Sequence, residues 1–162
     1  MNCSARFLLV VLLSLAGLSA RAAEAAPCVF CEIIAGTRPA AVVYRDERIF
    51  AFLSGGPRNP GHVLILPVRH AENLLDVPPD TLREMAACGQ RVARAIKRTD
   101  LRAEGLEFRM NTGKAAGQAV FHAHLHIIPR FAGEPEKSAA LGSVPLAELE
   151  AVAAKIKAAL AP

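Results

Sequence analysis

In the stretch "GQAVFHAHLHIIPR", residues 117–130, His122, His124 and His126 alternate with Ala123, Leu125 and Ile127. Imidazole changes charge nearest to neutral pH, and its neutral form serves as acid, base, nucleophile or metal ligand. Successive side chains of a strand point to opposite faces. The spacing therefore predicts three rings on one face, about 6.6 Å apart, with Phe121, Ala123, Leu125 and Ile127 on the other. A solvated polar face or a surface metal-scavenging tract would not need an unbroken apolar face behind it, so the alternation points to catalysis or metal binding. Two more histidines lie at the ends of the run "HVLILPV": His62 opens it and His70 follows it. Cys28 and Cys31 have the spacing of a zinc half-site, which two histidines would complete to a tetrahedral Cys2His2 set. A CxxC disulfide and two unconnected thiols remain as alternatives for that pair.

Elements able to position these groups follow from the pattern around them. "CVFCEIIAGTRPA" predicts a short helix or turn closed near Gly36 and Pro39, and "AVVYRDERIFAFL" a hairpin with apolar residues 41–44, a polar turn 45–48 and a second apolar run to Leu53. Residues 54–61, "SGGPRNPG", are turn chemistry throughout, and His62 to Val68 reads as a third strand with Pro67 at an edge or strand end. The clearest helix is "TLREMAACGQRVARAIKR", with a capping box from Thr81 to Glu84 and Leu82, Met85, Gly89, Val92 and Ile96 at helical spacing. Cys88 falls among its apolar positions and reads as a small buried hydrophobe. Leu106 to Asn111 and Val120 to Ile128 are the fourth and fifth strands, joined by the glycine-bearing "TGKAAG" and so paired antiparallel. A last helix, Pro145 to Leu160, carries Leu146, Leu149, Val152, Ile156 and Leu160 on one stripe. This order gives an α+β fold: a mainly antiparallel five-stranded sheet with a few packing helices.

The chain has 162 residues, 52 % of them hydrophobic, enough for one ordinary core and a single domain. Arg6 precedes the apolar run "FLLVVLLSLAGL", and small-residue cleavage options follow at Ala20-Arg21-Ala22 and Ala23-Glu24-Ala25. Residues 1–22 therefore read as a signal peptide and residues 23–162 as the mature domain, periplasmic or secreted. The run is shorter than the roughly 20 residues needed to span a bilayer, so no stable membrane association is expected after cleavage. Removing residues 1–22 takes Arg6 and Arg21 from 19 basic side chains and nothing from 15 acidic ones, leaving a net charge of +2. With no cluster of basic residues among aromatics, nucleic acid is not an expected partner. Cys3 would leave with the signal, and the odd set Cys28, Cys31 and Cys88 argues against a disulfide framework.

"HAHLHII" matches the signature of the histidine triad (HIT) family, His-φ-His-φ-His-φ-φ with φ apolar. "CVFCEIIAGTRPAAVVYRDERIFAFL", "NPGHVLILPVRH", "NTGKAAGQ" and "HIIPR" resemble the corresponding bacterial HIT blocks in the same order, over about residues 28–131. The resemblance implies a HIT-like fold and a nucleotide-binding hydrolase or transferase that cleaves at the α-phosphate of a nucleoside 5′-phosphoramidate or dinucleoside polyphosphate through a nucleotidyl-histidine. It implies His124 as nucleophile, His126 and His62 beside the phosphate, and Gln118 and Asn111 as hydrogen-bonding groups for the phosphate or leaving group. It also implies a structural zinc on Cys28, Cys31, His70 and His122, a purine nucleotide substrate and a homodimer. Two positions depart from the family pattern. Ser54 stands where many members carry an aspartate that holds the ribose hydroxyls, and Ala119 where a serine or threonine hydroxyl often follows the glutamine. The rival readings are an exported zinc- or nucleotide-binding module without significant turnover, and a CxxC redox protein, which would lack its usual βαβ setting.

Overall fold

A computed structural model describes residues 28–135 and 139–160. The expected signal peptide lies outside the described residues. Among the described residues no helix is long and apolar enough to cross a membrane. The elements run α1 (Val29–Ala35), β1 (Val42–Arg45), β2 (Ile49–Leu53), β3 (Val63–Pro67), α2 (Pro79–Lys97), β4 (Gly105–Met110), β5 (Leu125–Arg130) and α3 (Leu146–Leu160), with 3-10 turns at Leu74–Asp76 and Lys114–Ala116. The expected α+β fold is found: one five-stranded sheet in the order β1-β2-β3-β5-β4, every neighbouring pair antiparallel. Pro67 ends β3, a central strand, and so lies at a strand end and not at an edge.

Every residue of β2 ("IFAFL") and β3 ("VLILP") is buried, because helices cover both faces there. Ile49, Ala51, Leu53, Val63 and Ile65 point into the larger core under α2 and α3, while Phe50, Phe52, Leu64 and Leu66 meet Phe30, Ile33 and Ile34 of α1 on the opposite face. α1 has only 7 residues and reaches the histidines through Phe30, whose ring lies edge-on to His122 and His124. His62, His122 and His124 are buried at this end of the sheet.

α2 buries Met85, Cys88, Gly89, Val92 and Ile96, as its spacing predicts. A β-carbon on Gly89 would come within 3.2 Å of Leu125 and Phe108 and 3.3 Å of Ile127, so this glycine lets the helix approach β4 and β5 closely. The predicted capping box is absent. The helix starts earlier, at Pro79, whose fixed φ suits a first helical position, and Arg48 takes both residues of the expected box: Nη2 donates to Thr81 Oγ1 at 3.1 Å and Nη1 pairs with Glu84 at 2.9 Å. A reciprocal cap forms instead at the turn Leu74–Asp76, between Asn73 and Asp76. In α3, Leu149, Ala153 and Ile156 are buried, and Leu146 is left at the surface.

The fifth strand begins at Leu125, five residues later than its alternation predicts. The chain bends through residues 120–122, so Phe121 is 43 % exposed instead of joining the core. From Ala123 onward the alternation holds. Ala123 donates its backbone N–H to Ala71 O at 2.7 Å, and Ala123 and Ile127 are fully buried.

Candidate active site and metal cluster

The three histidines leave the backbone on the side away from α2, but they serve two different centres. His122 turns toward α1. Its Nε2–H donates to Pro67 O at 2.9 Å, which leaves Nδ1 as the lone-pair nitrogen, 3.6 Å from each of Cys28 Sγ and Cys31 Sγ. His70 Nδ1 lies 3.3 Å from Cys31 Sγ, and one ligand atom from each of Cys28, Cys31, His70 and His122 falls within 4.8 Å of the others. Tetrahedral zinc with its usual bond lengths would separate nitrogen and sulfur ligands by roughly 3.5 Å, so the four donors have that ion's chemistry and the three nitrogen–sulfur separations of 3.3 to 3.6 Å match its spacing. Burial, and secondarily the neighbouring Cys28, raises the Cys31 thiol to about 11; a cation would be needed to hold it as thiolate. These cysteines are free and share no disulfide.

His124 stands between the two centres and is buried, 6 % exposed. Its Nδ1–H donates to the carbonyl of His122 at 2.7 Å, which leaves Nε2 with its lone pair outward. The ring packs edge-on against Phe30 at 5.1 Å and His126 at 4.7 Å. Burial lowers its pKa below that of a free histidine, opposed in part by the carbonyl.

His62 and His126 form a directed chain. The backbone N–H of Arg58 donates to His62 Nδ1 at 3.1 Å, so the His62 proton sits on Nε2. That proton points at His126 Nδ1, 3.0 Å away, and the His126 proton must therefore occupy Nε2. His126 Nε2 is buried and has no partner. Burial, then the charges of Arg109, Arg58 and His124, lowers His62 to about 4. Burial, then His124, His62, Arg109 and Arg58, lowers His126 to about 3. All three imidazoles of this centre are neutral at pH 7.

The loop ahead of the triad is built by glycine and glutamine. Gly113 and Gly117 have φ of 82° and 85°, the left-handed region open to residues without a side chain. Gln118, 2 % exposed, accepts from the Gly113 N–H at 2.7 Å and donates from Nε2 to Glu72 O at 2.6 Å and Val120 O at 3.2 Å. Both amide hydrogens are thus engaged in shaping the loop, where the family resemblance implies a phosphate contact. Asn111 Nδ2 donates to Gly117 O at 3.2 Å. Ser54 is buried beside the centre, its N–H donating to His62 O at 2.9 Å.

Three residues of this centre are not visible from motif spacing. Phe30 makes its wall, between the two cysteines. Arg58 supplies both a backbone donor and a charge. Arg109 of β4 pairs in register with His126, a neighbourhood that appears only once the β4–β5 register is known.

Comparison with known proteins matches a model of the HIT domain over residues 35–133. An uncharacterised HIT-like protein of Mycobacterium tuberculosis is 50 % identical over 103 residues, 64 % of this chain and 71 % of that protein. An adenylylsulfatase of Arabidopsis thaliana is 37 % identical over 103 residues, 64 % of this chain but only 52 % of that longer protein. Among solved structures, a zinc-bound histidine triad family protein of Mycobacterium smegmatis superposes with a TM-score of 0.73 at 42 % identity, covering 82 % of this chain and 92 % of that one.

Proposed function

The chain belongs to the HIT domain family, and from that premise we propose that it is a nucleotidyl hydrolase that cleaves at the α-phosphate of a purine nucleoside 5′-phosphate derivative. The observation that carries this reading is the hydrogen bond from His124 Nδ1 to His122 O, which holds the ring with its other nitrogen free to attack.

Nε2 of His124 attacks the α-phosphorus, the bond to the leaving group breaks, and the leaving group departs with the bonding electron pair. The imidazole then carries a positive charge, which the His122 carbonyl stabilises through Nδ1–H. In the second step water attacks phosphorus and gives up a proton to solvent. The phosphorus–nitrogen bond breaks, its electron pair returns to Nε2, and the nucleoside monophosphate is released. His126 Nε2–H, held by the Arg58–His62 chain, donates to a phosphate oxygen where charge accumulates. Gln118 holds the loop that borders this face.

Cys28, Cys31, His70 and His122 would hold a zinc ion that ties α1 to the segments after β3 and before β5, as a structural cross-link. The adenylylsulfatase among the relatives fits cleavage of an adenylyl derivative. We place the reaction outside the cytoplasm on the strength of residues 1–22 alone.

The deciding experiment incubates the protein with a purine nucleoside phosphoramidate and a dinucleoside polyphosphate and quenches within one turnover. A mass increase of one nucleotidyl group on the peptide holding His124, with a burst of leaving group, is the expected result. Nucleotide binding with no turnover and no adduct would leave a binding module.

A further inference from the structure

Among the described residues only two buried side-chain nitrogens or oxygens lack a hydrogen-bond partner, Arg109 Nε and His126 Nε2. They are neighbours. Arg109 and His126 are register partners across β4 and β5, so their side chains rise from the same face with β-carbons about 5 Å apart. Two buried N–H groups without acceptors on neighbouring residues are costly unless something satisfies them, and adjacent oxygens of a polyphosphate satisfy one each. The far end of the Arg109 guanidinium is steadied by Glu107, with Nη1 3.4 Å from a carboxylate that Arg130 also approaches at 3.5 Å. Glu107 leaves Nε unpaired.

We propose that Arg109 binds the leaving group, and that the substrates this chain cleaves best are nucleoside 5′-phosphoanhydrides, whose leaving group is itself a phosphate. The inference rests on the nucleotidyl-hydrolase reading and narrows it. When His124 Nε2 bonds to the α-phosphorus, the bond to the bridging oxygen breaks and its electron pair stays on that oxygen. The departing phosphate gains one negative charge next to a fixed guanidinium. An amine leaving group gains no such charge; it needs a proton instead. His126 is a poor source of that proton, since its Nε2–H belongs to a neutral ring of depressed basicity. Ala119 strengthens the argument. A hydroxyl there could serve a neutral or an anionic leaving group alike, whereas this chain has a methyl group at 119 and a planar cationic fork at 109.

The test compares kcat/KM for diadenosine tetraphosphate and for an adenosine 5′-phosphoramidate of an uncharged amine. The ratio of the two constants should fall about 100-fold in R109M, on the order of the loss of one preorganised hydrogen-bond donor, and about tenfold in R109K, which keeps the charge but not the fork. A merely structural arginine would lower both constants together. A ratio within about threefold of wild type would overturn the assignment, and if R109M does not fold, R109K decides by the same criterion. If the wild type turns over neither substrate, the hydrolase reading fails and Arg109 is judged by calorimetry. The wild type should then bind ADP at least about tenfold more tightly than AMP, an increment that R109K should reduce; equal affinities would overturn it.

Discussion

The carbonyl of His122 accepts the Nδ1–H of His124 at 2.7 Å, while the His122 ring presents its own Nδ1 to the two cysteine sulfurs. One residue therefore orients the reactive imidazole with its backbone and belongs to the metal cluster with its side chain. Whatever holds His122 in place sets the aim of His124.

His124→Asn should reduce turnover by at least about 10⁴-fold while leaving the Kd for AMP within about threefold, because the bond from nitrogen to phosphorus exists only along the reaction path. His62→Ala and His126→Ala should each cost about 2 to 4 kcal/mol of transition-state stabilisation. Single-turnover kinetics beside equilibrium titration separates the two effects, and a large loss of AMP affinity in His124→Asn would contradict the assigned role.

Gln118→Ala should lower stability as well as rate. It strands the Gly113 N–H and the carbonyls of Glu72 and Val120, and buried backbone groups left unpaired cost about 1 to 3 kcal/mol each before any relaxation. Urea denaturation measures this directly. A variant as stable as wild type but slow would return Gln118 to the role of phosphate ligand.

Metal analysis of protein purified without chelators should find zinc at about one equivalent per chain. Cys28→Ser should lose the metal and lower the melting temperature, with a smaller effect on the His62–His126 pair. A Cys28–Cys31 disulfide and no zinc would remove this expectation and favour the redox alternative.

Stability should fall on acidification through a window set by His62 and His126. Their folded pKa values are depressed to about 4 and about 3, so below about 6.5 the unfolded chain takes up protons that the folded chain refuses. Above that pH these residues contribute nothing to the pH dependence. Below it, stability drops by about 1.4 kcal/mol per pH unit for each such histidine, until the folded pKa is reached. The facing charges are Arg58, Arg109 and, once protonated, His124. Melting curves from pH 7 to pH 4.5 should show the decline, and His62→Asn should flatten it; an unchanged slope would mean that these rings titrate freely.

The first three strands were legible as short apolar runs bounded by turn residues and the fifth by its alternation, whereas the four metal-cluster residues were assembled only through the family resemblance, since the spacing of Cys28 and Cys31 alone left a disulfide or two separate thiols open. The boundaries were less legible. Thr81 and Glu84 form a plausible capping pair in isolation, but Arg48, brought across from the strand β2 end of the chain, binds both. Phe121 continues the apolar alternation on paper, yet the bend at residues 120–122 turns it outward. Arg109 was illegible for a different reason. Nothing within β4 marks it, and its meaning comes from His126, a register partner 17 positions away in the sequence.

The strand order β1-β2-β3-β5-β4 also governs when the site can exist. The first three strands pair with their sequence neighbours and need nothing from the later chain to do so. β3 then presents an apolar, unpaired edge that only β5 can close, and β4 has no neighbour until β5 inserts beside it. A chain ending before β5 thus holds Cys28, Cys31, His62 and His70 but lacks the strand that joins the two halves of the sheet. The reactive face is therefore complete only when β5 has paired with β3, and a chain lacking β5 leaves one edge of "VLILP" unpaired.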